Sequence, residues 1–185
     1  TTGNALTDKR DIALLLTARD LMARRSEVVA LNIGDVTCNE DGSGVALIER
    51  SKTDQDGVGA VRWLSPRTVT AIASWLSAAG MENASDETPL FPALKRDGSA
   101  KTKRLAASDV SRRFKAMAKR AGIDPADISG HSCRVGMAQD LVAAGTELPA
   151  LMTAGRWKTA AMPARYTERL AAGRGAVAAY YSKKR

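Results

Sequence analysis

A mainly α-helical domain carrying a small antiparallel β-sheet is what this 185-residue sequence predicts, and three observations predict it. Apolar residues recur at three-and-four spacing near the amino terminus, the signature of one buried helical face. Between Val36 and Leu64 the pattern changes to short apolar segments separated by turn residues. The last third is alanine-rich and is cut into short helical lengths by Gly145, Gly155, Pro163, Gly173 and Gly175.

The first helix is expected over Asp8 to Ala23, with Ile12, Leu15, Leu16, Ala18, Leu21 and Met22 inward and Thr7 as its cap. A shorter one follows over Ser26 to Leu31, ending where Asn32 and Gly34 discourage continuation. Val45-Ala46-Leu47-Ile48 and Val58 to Leu64, bounded by Asn39-Glu40-Asp41-Gly42 and Asp54-Gln55-Asp56-Gly57, read as strands of the small sheet. Ser65-Pro66 supplies a cap and a first-turn proline for a helix through Ala78 that stops at Gly80. Residues Met81 to Pro92 form a loop, and the polar, basic stretch from Asp97 to Leu105 is expected to be a second, mobile one. Ser108 is placed to cap a helix over Asp109 to Ala121, with Gly122 just beyond it. From Pro125 onward the chain reads as mainly helical, without repeats or a linker that would divide it.

Composition bounds the function. A hydrophobic content of 44% supports a core, yet the longest aliphatic run, Ile12 to Leu16, is far short of the roughly 20 residues a bilayer requires. No signal pattern opens the chain, and the reading is of a cytoplasmic protein with no membrane partner. Cys38 and Cys133 are far apart and have no second ligand type at metal spacing, which argues against a metal site or a disulfide. The 28 Lys and Arg against 20 Asp and Glu leave a net charge of +8 and a pI near 9.8, so a polyanion, nucleic acid above all, is the favoured partner. The basic residues concentrate at 95–104, 112–120 and 183–185, and Arg112, Arg113, Lys115 and Lys119 are candidates for backbone phosphate contact.

On a helix, His131 and Arg134 would project from one face and could converge on oxygens of a single phosphate. Spacing alone is weak evidence, since a structural hydrogen-bonded pair is the commoner reason for it. The context strengthens it: Ser129-Gly130 precede the pair, and Gly155-Arg156-Trp157 and then Tyr166 follow. Ile128 to Gly136, Ala154 to Trp157 and Ala164-Arg165-Tyr166 resemble the catalytic boxes of the tyrosine recombinase (phage integrase) family, most closely its Cre-like branch.

That resemblance spans nearly the whole chain and implies the catalytic-domain fold of the family over residues 1–185, without the amino-terminal core-binding domain such enzymes carry. It assigns the first catalytic arginine to Arg24 and the acidic orienting residue to Glu27, within Arg24-Arg25-Ser26-Glu27-Val28-Val29-Ala30-Leu31. Arg25 stands where the family usually has an aliphatic residue, so the sequence leaves open which arginine faces inward. Lys52, in Ser51-Lys52-Thr53-Asp54, matches the family's general acid, although an isolated hairpin lysine is ordinarily just solvated. His131, Arg134 and Trp157 complete the phosphate-binding set, and Tyr166 is the nucleophile.

The implied chemistry is site-specific recombination of double-stranded DNA through a 3′-phosphotyrosyl intermediate, with neither metal nor cofactor. Arginines aimed at the non-bridging oxygens stabilise the five-coordinate phosphorus more than the ground state. Tyrosine, with an ordinary pKa of about 10, needs such a positive cluster to attack as phenolate. Family likeness further implies a homotetramer on two DNA sites, joined through the carboxyl-terminal segment from Arg174 to Tyr181, where Tyr180 and Tyr181 read as packing residues. The alternatives are relaxation of supercoils in the manner of a type IB topoisomerase, or a sequence-specific DNA-binding module that has lost its chemistry.

Overall fold

The computed structural model describes residues 5–49, 59–95, 99–174 and 180–181. Helix α1 (Ala5–Asp20) begins a turn earlier than Thr7 could cap and ends three residues sooner than its apolar pattern. The early stop has a backbone cause: Met22 adopts a left-handed φ of 45°. The Met22 N–H then bonds the Arg19 carbonyl and the Ala23 N–H reaches back to Ala18, a Schellman closure that keeps Leu21, Met22 and Ala23 buried although they have left the helix.

Helix α2 (Arg25–Ala30) leads through a 3-10 turn at Ile33–Asp35 into strands β1 (Val36–Cys38), β2 (Gly44–Ile48) and β3 (Ala60–Leu64). They pair antiparallel in the order β1-β2-β3, as the turn-bounded segments lead one to expect. Helix α3 (Pro66–Ala78) starts at Ser65, whose hydroxyl accepts the Thr68 N–H at 3.3 Å. It closes before Gly80, where φ is +65° and a side chain would be strained. Asp20 pins the two helices together, accepting from the Ser65 N–H at 2.8 Å, the Ser65 hydroxyl at 2.7 Å and the Thr68 hydroxyl at 2.6 Å.

The basic stretch expected to be a loop is instead half of a hairpin: β5 (Ala100–Arg104) pairs antiparallel with β4 (Pro92–Leu94). Lys101 and Lys103 are exposed, so this edge strand carries no apolar alternation to betray it. Arg104 anchors it by donating to the Ala30 and Leu31 carbonyls at 2.8 and 3.1 Å and to Asn32 Oδ1 at 2.6 Å. Helix α4 (Ala107–Arg120) is entered at Ala106, which leaves Ser108 inside the first turn rather than capping it. Helices α5 (Ser132–Ala143), α6 (Leu148–Gly155) and α7 (Ala161–Arg174) follow, so the described part of the last third is mainly helical as expected.

Helix α1 is the hub, packed against α3 on one side and against α2, α4 and α5 on others. The main core holds Leu14, Leu21, Val28, Trp75, Leu90 and Phe91, and the fully buried Trp75 indole donates to the Leu90 carbonyl at 2.8 Å. Asp11, fully buried, pairs with its neighbour Arg10 at 2.7 Å and ties α1 to α4 through Arg113 at 3.7 Å. Arg112 pairs with Asp109 and Arg120 with Asp8, so of the basic run on α4 Lys115 and Lys119 remain as exposed positive charges without an acidic partner among the described residues. Among the described residues no helix is long and apolar enough to cross a membrane.

Candidate active site

A second, smaller core of Met22, Ala138 and Leu151 joins the end of α1 to α5 and α6, and it positions the candidate residues. Arg134, on the first turn of α5, is only 4% exposed. Its Nη1 donates to the Met22 carbonyl at 2.6 Å, and its Nη2 donates to the Gly155 carbonyl. Both acceptors come from left-handed helix ends. Arg156, at φ 55°, closes α6 as Met22 closes α1: its N–H bonds the Thr153 carbonyl while the Trp157 N–H reaches back to Met152. Among the described residues these are the two non-glycine residues with positive φ. Each costs about 1–2 kcal/mol relative to a right-handed backbone, and together they turn two carbonyl ends toward one guanidinium.

Trp157 folds back over the end of α6. A Cβ at Gly155 would overlap its ring, so the close approach needs glycine there. The ring carries the Arg134 guanidinium 4.6 Å above its centroid and meets the Tyr166 ring edge-on at 6.0 Å and 61°. Tyr166 projects from α7, whose position beside α5 is supported by Gln139 Nε2 donating to the Tyr166 carbonyl at 3.2 Å. Arg134, Trp157 and Tyr166 therefore stack in sequence, from three different helices or helix ends.

Glu27, 4% exposed on α2, completes the cluster from the amino-terminal side. One carboxylate oxygen accepts Arg24 Nη1 at 2.7 Å; the other accepts Arg156 Nη2 at 2.6 Å and the Arg24 backbone N–H at 2.8 Å. Arg24, rather than Arg25, thus faces inward, while the Arg25 stem packs beside Gly130 and the residue is exposed. Burial lowers Arg134 to about 10, helped by the positive charges of Arg24 and Arg156 and opposed by Glu27 and Tyr166, so it stays cationic at neutral pH.

Burial works against the ionised form of Glu27, but the Arg24 backbone N–H, the Arg156 charge and the two arginine side-chain hydrogen bonds together hold its carboxyl below the ordinary 4.5. Because the folded value is depressed, this stabilisation is complete above pH 4.5 and is lost as pH falls through the folded value. Glu27→Gln is expected to cost about 1.5–3 kcal/mol at pH 7 and progressively less as the pH is lowered below 4.5 through the folded value, as denaturant unfolding at pH 7 and at the acid end of that fall will measure. An equal cost at both would show that the carboxylate charge is not what Arg24 and Arg156 use.

His131 is not drawn into the cluster. It occupies the N-cap of α5 at φ −102° and ψ −8°, exposed, and its side chain makes no hydrogen bond or ion pair among the described residues. As the half-in cap residue it accepts the Val135 N–H at its carbonyl. Lys52 lies outside the described residues; Ile48 and Gly59, on either side of its segment, line a cavity that Arg156 and Trp157 also line. Burial pushes the Cys133 thiol up to about 11, which removes it as a nucleophile. Among the described residues no group of His, Cys, Asp and Glu is placed to hold a metal ion. Arg156 received no role from the sequence, since its charge sat unremarked within the Gly155-Arg156-Trp157 box, and the left-handed turns at Met22 and Arg156 leave no mark in composition or periodicity.

Residues 2–172 match the model of the phage integrase family. The recombinase cre of Escherichia phage P1 is 27% identical over 180 residues, which cover 92% of this chain and 52% of that protein. Among solved structures, the XerH site-specific recombinase bound to palindromic difH substrate in a post-cleavage complex superposes with a TM-score of 0.69 at 18% identity, over 90% of this chain and 44% of that one. XerA recombinase gives a TM-score of 0.67 at 20% identity, over 86% and 52%. The chain spans about half the length of these proteins.

Proposed function

The chain belongs to the phage integrase family, and from that premise we propose that it cuts and rejoins double-stranded DNA at specific sites, with Tyr166 as nucleophile. One observation carries the reading: Arg24 and Glu27 from the amino-terminal side and Arg134, Trp157 and Tyr166 from the carboxyl-terminal third gather around a single centre. The net charge of +8 supports a DNA partner.

Arg24 and Arg134 hold the non-bridging oxygens of the scissile phosphate, and the forked guanidinium suits that task because it donates in parallel and keeps its proton. Arg134 has given two N–H groups to the Met22 and Gly155 carbonyls, which fixes its plane and leaves other hydrogens of the fork for phosphate. Trp157, propped by Arg134 and Gly155, adds an indole N–H to the same oxygens, and His131 contributes a donor by turning in from its exposed cap. The Tyr166 hydroxyl loses its proton and its oxygen bonds phosphorus as the bond to the 5′ oxygen breaks. Lys52 delivers a proton to that leaving oxygen, giving a 3′-phosphotyrosyl bond and a free 5′-hydroxyl. Attack by a 5′-hydroxyl reverses the step, so strands rejoin without an external energy source.

Residues 1–185 act as the catalytic domain of this reaction, in the cytoplasm, and four copies on two sites are joined through the segment that ends in the exposed Tyr180 and Tyr181. The reading is tested by trapping. A site selected from random duplexes and nicked beside the scissile position should yield a detergent-resistant protein–DNA adduct in the presence of EDTA, with the modified peptide containing Tyr166. Tight binding without an adduct would leave a DNA-binding module, and relaxation of any supercoiled plasmid by a monomer would indicate a topoisomerase.

A further inference from the structure

Arg156 carries two unfavourable features at once. Its backbone is held left-handed, at φ 55°, where a side chain is strained. Its side chain is nine-tenths buried, at 10% exposure, and although Nη2 is bonded to Glu27, its Nε and Nη1 are shut off from solvent with no hydrogen-bond partner. A buried donor without an acceptor is destabilising, so a missing acceptor is the natural complement. Arg62, half-buried on β3, shares one of these features: among the described residues its Nη1 has only the neighbouring Val61 carbonyl, at 3.2 Å, and its buried Nε has no partner.

Both arginines line one cavity of about 650 Å³, with the exposed Lys158 on the same lining and no carboxylate among the described lining residues. Ile48, Met152 and Trp157 form apolar wall. Burial and the neighbouring charge of Arg156 both lower the affinity of Arg62 for its proton, so like charges have been brought together, with Glu27 pairing Arg156 and no ion pair to Arg62 among the described residues. Arg24, Arg134 and Tyr166 do not line this cavity, whereas Trp157 borders both it and the stack that holds Tyr166. The cavity therefore borders the proposed catalytic centre and shares Trp157 with it.

We propose that this cavity seats a second DNA phosphate, adjacent to the scissile one, gripped by Arg62 and Arg156 with Lys158 at its rim. The proposal rests on the DNA-cleaving reading above. A phosphodiester supplies two anionic oxygens, enough to accept from both guanidinium groups, and its occupancy places the neighbouring phosphate against Arg134. Arg156 thereby links two phosphates, since the carboxylate of Glu27 that it holds also holds Arg24.

Duplex binding by the full chain, measured across salt concentrations, tests this together with a scan of single methylphosphonate substitutions. The Arg62→Gln, Arg156→Gly double variant should bind more weakly, with a log–log salt slope shallower by about 0.9, the value for one lost phosphate. One neutralised non-scissile phosphate should weaken wild-type binding and leave the double variant unaffected. Thermal unfolding checks folding, and if the double variant does not fold, the Arg62→Lys, Arg156→Lys pair replaces it. Lysine keeps the charge and loses the fork, so that pair should retain the slope while binding more weakly. Wild-type slope and affinity in both variants, or a lost sensitivity that maps to the scissile phosphate, would overturn the proposal. So would a thermal upshift in inorganic phosphate that needs Arg62 and Arg156 while DNA binding ignores them, which would mark a free-anion site. Absence of a Tyr166 adduct in the wild type would instead sink the catalytic reading itself.

Discussion

Tyr166→Phe is expected to abolish the covalent protein–DNA adduct, lowering cleavage by at least about 10⁴-fold, the scale on which enzymes lose rate when their nucleophile is removed. The same substitution should leave duplex affinity within about twofold. It should also change stability by no more than about 0.5 kcal/mol, because phenylalanine keeps the ring that meets Trp157 edge-on at 6.0 Å. Single-turnover cleavage, equilibrium binding and denaturant unfolding of one preparation separate these effects. The contrast gives the test its edge: a residue that merely packs would move stability, and a residue that merely binds would move affinity. An adduct that survives would move the nucleophile elsewhere, with Tyr180 and Tyr181, 56% and 65% exposed, the tyrosines left to consider.

Sequence pattern captured the elements whose cause is local. Ser65 and Pro66 define the start of α3 through side-chain and ring chemistry that does not depend on what lies around them, and the structure has the helix where those residues put it. The boundaries that pattern reasoning missed are tertiary. Ala100–Arg104 becomes a strand because Arg104 is recruited by carbonyls of α2 and Asn32, far away in sequence, and not because Lys101-Thr102-Lys103 favours extension. Helix α1 stops short because Met22 turns left-handed, a conformation its apolar side chain gives no hint of.

The same division runs through the site. Arg24, Glu27, Arg134, Trp157 and Tyr166 are legible as candidates because a dispersed motif records residue type and order. Which of Arg24 and Arg25 turns inward was not legible, since it depends on Glu27 accepting from Arg24 at one oxygen and from Arg156 at the other. His131 shows what spacing leaves out: it is the cap of α5, exposed, and its side chain makes no hydrogen bond or ion pair among the described residues. Arg156 was overlooked for another reason: it sits inside the motif, and only its partner Glu27 and its backbone conformation distinguish it from a surface cation.

Arg134→Ala should damage folding and cleavage together, and Arg134→Lys should separate them. Alanine strands two carbonyls, at Met22 and Gly155, that the guanidinium now satisfies, and removes the cation from the Trp157 face. Losing one buried, charge-assisted hydrogen bond costs about 1.5–3 kcal/mol, so about 3 kcal/mol or more is expected in denaturant unfolding. Both acceptors cap left-handed turns that are themselves strained, and the strain has less to hold it once the guanidinium is gone. Lysine restores the charge, yet a single ammonium on a flexible stem cannot bridge both carbonyls, lie flat on the indole and still present a planar fork to phosphate. The lysine variant should therefore recover part of the stability while its cleavage rate stays about 10²–10³-fold below wild type, the loss typical of one missing transition-state donor. Cleavage by Arg134→Lys at the wild-type rate would mean that charge suffices at this position, and the forked geometry built by Met22, Gly155 and Trp157 would then serve folding alone.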